Sequence, residues 1–168
     1  MADPRLAPYR APALVFAGYL VVQAASAAVL FVLKLGGDAS GVRAFYLGSE
    51  ERFTAAKSLA GLLEVAVPHL TAIPLVLFAV VHVVGFARAL PRRSFGLLTA
   101  VSFGSALAGV LAGFAVRFVW PGLAFVKVAA FAGLEGSLLA WAALLVALFV
   151  QRVPASDAAP PAAQEAAR

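Results

Sequence analysis

The 168-residue chain has no cysteine. This excludes disulfides, thiolate zinc sites, iron–sulfur clusters, covalently attached c-type haem and a cysteine nucleophile. Charge is almost as scarce. Acidic and basic residues make up 12% of the sequence and hydrophobic ones 63%, whereas a soluble domain is about a quarter charged and about half apolar. So few polar side chains cannot cover a water-soluble globule, and lipid must supply the missing apolar solvent. The net charge of +5 comes from residues scattered between apolar runs, which form no continuous basic face, so nucleic acid is not expected as a partner. No phosphate loop, dinucleotide fingerprint or internal repeat occurs. No Ser, Asp and His set lies at comparable depth, so enzymatic activity is not expected.

What the sequence has in abundance is long apolar runs. Stretches of about 20 apolar residues cross a hydrocarbon core of about 30 Å, and four are present: about 13–33, 67–87, 95–116 and 128–150. A β-barrel would need shorter segments of alternating polarity, which are absent. The expected fold is therefore an all-α integral membrane protein, a single domain over residues 1–152 with four transmembrane helices in an antiparallel bundle. The first run is longer than the apolar core of a signal peptide and is read as a retained helix. The Ala- and Pro-rich tail, 153–168, is expected to be disordered.

Lys and Arg set orientation. The hairpin between the second and third runs carries Arg88, Arg92 and Arg93. With Arg5, Arg10, Arg152 and Arg168 that side counts seven, against six on the other from Lys34, Arg43, Arg52, Lys57, Arg117 and Lys127. The expectation is a bacterial inner-membrane protein with both termini cytoplasmic.

The outer loop, 36–66, is the one sizeable segment between runs. Gly36-Gly37-Asp38-Ala39-Ser40-Gly41 reads as a turn. Ser49 with Glu50 and Glu51 reads as a helix start. Leu59, Leu62, Leu63 and Ala66 then line one face of an interfacial helix that Pro68 redirects into the membrane. In the third and fourth runs, Ser105-x3-Gly109-x3-Gly113 and Ala129-x3-Gly133-x3-Ser137 form small-residue stripes that let backbones approach closely. Pairing of these two helices is expected, with a homodimer face as the competing use. Trp120 and Pro121 mark a tight outer hairpin at the aromatic belt.

Ionisable groups at bilayer depth cost several kcal/mol unless paired or facing a cavity, so His69, His82 and Glu135 are the informative residues. Both histidines of the chain share the second run, thirteen residues apart, or about 19.5 Å along a helix. Neutral imidazole ligates haem iron, and this separation suits two b-type haems at two depths. Thirteen steps also turn about 220°, so the two rings leave on nearly opposite faces unless Pro74 alters the angle. Bis-histidine ligation then requires a second copy of the chain or another membrane subunit. The plainer alternative makes His69 an interfacial polar residue and His82 an interhelical hydrogen-bond donor. Glu135 reads either as a proton carrier or as a neutral acid bonded to Gln23 or Ser26. Glu64 and Lys57 complete the polar candidates from the outer loop.

The run Phe45-Tyr46-x-Gly48-x-Glu50-Glu51, then Lys57-Ser58-x-x-Gly61-Leu62-Leu63-Glu64, then His69-Leu70-x3-Pro74-x7-His82 resembles an uncharacterised family of short bacterial four-span membrane proteins. Where members often carry a further His, this chain has Val67. The resemblance implies that the outer loop and second span form one unit, and it implies no activity. Three functions therefore stand side by side: a b-haem subunit passing electrons through His69 and His82, a small transporter or proton relay using Glu135, and a cofactor-free assembly subunit.

Overall fold

The computed structural model describes residues 8–51 and 53–150, so the tail lies outside the described residues. The elements are α1 (Arg10–Leu35), α2 (Ala39–Leu47), α3 (Leu59–Phe86), α4 (Arg92–Phe118) and α5 (Ala124–Val150), with a 3₁₀ turn at Pro121–Leu123 leading into α5. Four helices are long and apolar enough to cross a membrane: α1, α3, α4, and α5 with its 3₁₀ turn. They run alternately up and down, as expected.

The outer loop is built differently from its sequence reading. Gly36 ends α1 at φ +76°, donating its N–H to Val32 O at 2.9 Å, and Gly37 follows at φ +81°. These angles suit glycine because it lacks a Cβ. Asp38 then caps α2 by accepting from the Gly41 N–H at 2.7 Å, so the expected turn is half turn and half helix start. The segment expected to be helical from Ser49 instead doubles back, with Ser49 and Thr54 exchanging backbone hydrogen bonds at 3.0 Å. The loop helix is α2, and it precedes this turn.

The helix expected at the interface belongs to the second span. Ser58 caps α3 by accepting from Gly61 N–H at 3.1 Å, and α3 runs unbroken through Pro68 and Pro74. The span therefore begins eight residues before Val67. The reason lies in the packing. Leu62 and Ala66, on one side of Pro68, fall in the same helical arc as the buried Leu77, Val80 and Val84. Each proline removes one intrahelical donor, which one continuous packed face tolerates.

α5 is the hub. It packs most extensively against α4 and then α1, while α3 leans mainly on α4. One core cluster joins Ala13, Ala17 and Leu20 of α1, Leu77, Val80 and Val84 of α3, and Leu138, Trp141, Ala142 and Leu145 of α5. A second sits at the outer end, where Phe31 stacks on Phe131 at 4.0 Å and α2 contributes Val42 and Tyr46.

The small residues bring α4 and α5 together as expected, with adjustments at two positions. Ser105 sits against Gly133, where a Cβ would collide with the hydroxyl, and Gly109 faces the Ala130 Cβ. Ala129 is exposed and Ala130 buried, because α5 turns its neighbouring residue toward α4 at this level. Gly113 accommodates the Tyr46 ring of α2, not α5. Gly133→Leu puts a bulky side chain where Ser105 Oγ and then Cβ stand and is expected to destabilise the detergent-solubilised protein by about 1–3 kcal/mol. Gly104, on the same helix as Ser105, has open space where its Cβ would be. Gly104→Leu should melt like the parent in a thermal scan, and equal losses for both variants would refute this packing.

Candidate functional site

Two interior polar groups, Trp141 Nε1 and Lys127 Nζ, are engaged between helices. Trp141 Nε1 donates to Ser102 Oγ at 2.9 Å, and that hydroxyl donates onward to Leu98 O at 2.7 Å. Both residues are fully buried. Lys127 bends inward and donates from Nζ to Gly109 O at 2.6 Å. The missing Gly109 side chain exposes that carbonyl to an amine from the facing helix. The sequence reading used Lys127 only as an outer charge and passed over Ser102 and Trp141. The signal it missed was a serine with a glycine one helical turn or two away on the helix expected to face α5.

At the outer end a clamp ties the loop to the bundle. Lys57 donates its backbone N–H to Tyr46 O at 3.0 Å, and its own carbonyl accepts from Arg117 Nε at 2.9 Å. The Lys57 ammonium lies 4.5 Å from the centre of the Phe45 ring, a cation–π contact. Lys57 thus has a structural partner on three sides. Burial beneath the loop pushes the Tyr46 phenol up to about 12. For Asp38, the Gly41 N–H and then the Ser40 hydroxyl hold its carboxyl below the usual range.

The candidate histidines do not converge. His69 Nδ1 lies 2.7 Å from Val65 O and His82 Nδ1 3.0 Å from Phe78 O. A carbonyl only accepts, so each Nδ1 carries the proton and each Nε2 keeps its lone pair. Both residues are exposed but on different sides of α3, with His69 about 50° from the middle of the buried arc. His82 lies about 170° from the middle of the buried arc of α3, with Phe78 4.0 Å from its ring centre and Phe86 6.1 Å. The expected role of His82 as an interhelical donor is therefore corrected. Its proton goes to its own helix, because the ring faces away from α1, α4 and α5.

Glu135 is half-buried in α5, and its Oε2 is buried with no hydrogen-bond partner among the described residues. The expected bonds to Gln23 or Ser26 do not form, since both side chains are exposed on α1. Glu135 does not meet either histidine, because those lie on the outer surface of α3. Glu64 is also exposed on α3. No cluster of three or more metal-ligating side chains occurs among the described residues.

These features define a multi-pass helical membrane protein whose buried Ser102–Trp141 and part-buried Lys127–Gly109 hydrogen bonds join two helices and whose imidazoles are exposed. A family model described as a transmembrane helical domain, Aq_1264_TM, matches residues 36–155. That is more than two thirds of the chain, and the chain belongs to this family. The matched range holds α2 to α5 and the residues from Phe45 to His82 on which the resemblance rests, and it begins at the glycine that ends α1. Neither a curated protein nor a solved structure matches the chain.

The clamp carries a test by titration. For a phenol whose folded value is raised from 10.0 to about 12, the neutral form stabilises the fold up to about pH 10, and this contribution is lost as pH rises through about 12. Absorbance titration near 295 nm should show a tyrosine ionising near pH 12 that disappears in Tyr46→Phe. Asp38 has the opposite sign. Its cap is present above the ordinary carboxylate value and is lost as pH falls below it, so acid melting should differ between the parent and Asp38→Asn, which caps without titrating.

Proposed function

We propose that the chain is a small assembly subunit of the bacterial inner membrane, acting through contacts with another membrane chain and not through an interior site. The observation that carries this reading is the outward placement of His82 and Glu64 on α3. Their own bundle leaves the Glu64 carboxylate and His82 Nε2 without a partner among the described residues, and a neighbouring membrane chain can supply one on that side. The native mass of the detergent-solubilised protein tests the reading: a multiple of 17.3 kDa, or a stable complex with another membrane chain, supports it, and a lone monomer overturns it.

A b-haem reading is favoured by one specific feature. Both histidines fix Nδ1 on a backbone carbonyl and leave Nε2 free, the arrangement that orients an imidazole for iron. His69 and His82 would then be axial ligands at two depths, each completed by a ligand from another chain, and the haem would supply one-electron redox chemistry. Protein made with ample haem should show a Soret band. His82→Ala should remove one haem and spare the other, and His69→Ala should do the converse. Absence of a Soret band from haem-replete protein ends this reading and leaves the assembly reading standing.

A further inference from the structure

Glu64 and His82 are eighteen residues apart on α3, which is five helical turns of 3.6 residues and about 27 Å. They therefore lie on the same face. Thr71 and Leu75 fall within about 20° of that line, and all four side chains are exposed. The buried arc of α3 lies on the opposite side, so none of α1, α4 or α5 covers this stripe. Among the described residues neither the Glu64 carboxylate nor His82 Nε2 has a hydrogen-bond or ionic partner. Their separation nearly equals a hydrocarbon thickness of about 30 Å, so one acid and one base stand at opposite edges of the apolar layer.

The pair is also almost symmetric about the helix. Glu64 lies five residues after the first residue of α3, Leu59, and His82 four before its last, Phe86. Two such helices laid antiparallel with Glu64 opposite His82 of the second copy overlap over nearly their whole length. Thr71 of each then meets Leu75 of the other. An acid meets an imidazole at both edges. A parallel pair would instead set carboxyl against carboxyl and imidazole against imidazole, which forgoes both acid–base contacts.

An antiparallel pair in a membrane requires both orientations of one chain. The basic-residue balance permits this. The tally is seven against six, and a margin of one residue does not sort the chain to one orientation. We propose that the chain inserts both ways round and that the Glu64–His82 face of α3 docks a second, inverted copy of itself. This rests on the assembly reading above and names its partner.

The lack of native cysteine makes the test clean. Ser40 in the outer loop and Ser94 at the opposite end are both exposed. In spheroplasts, a membrane-impermeant maleimide should label about half of the Ser40→Cys chains and about half of the Ser94→Cys chains. Complete labelling at one site with none at the other overturns the proposal. Ala60 and Phe86 are exposed near the two ends of the same face and leave Glu64 and His82 intact. Ala60→Cys and Phe86→Cys chains made together should form a disulfide-linked dimer, while neither should do so alone. Self-crosslinking of Ala60→Cys indicates a parallel pair and overturns the proposal, as does a dimeric parent that forms no crosslink in any combination. A monomeric parent instead overturns the assembly reading itself. Glu64→His should lower crosslinking severalfold, and adding His82→Glu to the same chain should restore it. Failure of that exchange to rescue would overturn the assigned contact even if the helices cross-link.

Discussion

The structure depends on the close approach of α4 and α5. Lipid tails are as apolar as leucine, so helices in a bilayer gain nothing from leaving their solvent and are held by close packing and interhelical hydrogen bonds. Gly133 admits Ser105, and Gly109 admits Ala130. That proximity places Gly109 O within reach of Lys127 and Ser102 Oγ within reach of Trp141. A side chain as large as leucine at Gly133 would meet Ser105 Oγ and then Cβ on the facing helix, so it strains the same contact that brings the donors to their acceptors. The hydrogen bonds and the packing are therefore one interaction, and α1 and α3 assemble on the surface it creates.

The outer end extends the same logic to a loop. Gly113 leaves room for the Tyr46 ring, which draws α2 onto the bundle between α1, α4 and α5. Once α2 is seated, its carbonyl at Tyr46 fixes Lys57, and Arg117 fixes Lys57 from the other side. Exposed backbone at a membrane boundary needs partners, and this segment finds them from a helix end and one arginine. The family match starts where α1 stops, so the unit it describes contains the clamp and both helices, α2 and α4, that the clamp ties together.

Most of the fold was legible because apolar run length is a direct physical requirement of a bilayer. The four spans, their antiparallel order and the partnership of α4 with α5 all follow from lengths and small-residue spacing. The outer loop was misread because Ser49-Glu50-Glu51 satisfies the local rules for a helix start, while the chain there is governed by Gly48 at φ +87° and by distant contacts to Tyr46 and Arg117. Pro68 was taken as a boundary for a similar reason. Local proline chemistry points to a break, but the continuous buried face from Leu62 to Val84 overrides it. The histidines were found from the sequence, and so was their angular divergence. Their outward direction was not, because periodicity fixes relative angles and only packing fixes which face meets the core.

The placement of polar groups divides the molecule. Inside, Ser102, Trp141 and Lys127 each have a named partner, and among the described residues only Glu135 keeps a buried side-chain oxygen unpaired. Outside, His69, Thr71 and His82 satisfy one atom each on their own helix, which lowers the cost of sitting near lipid but leaves each imidazole with a free Nε2. A chain selected only for stability in lipid would carry leucine or phenylalanine at such positions, as the flanking Phe78 and Phe86 do. Polar groups half-satisfied on an outer face gain from a neighbour what the bundle does not supply. The exposed polar groups that the bundle leaves half-satisfied are therefore gathered on α3, while α5 makes the most extensive contacts within the bundle.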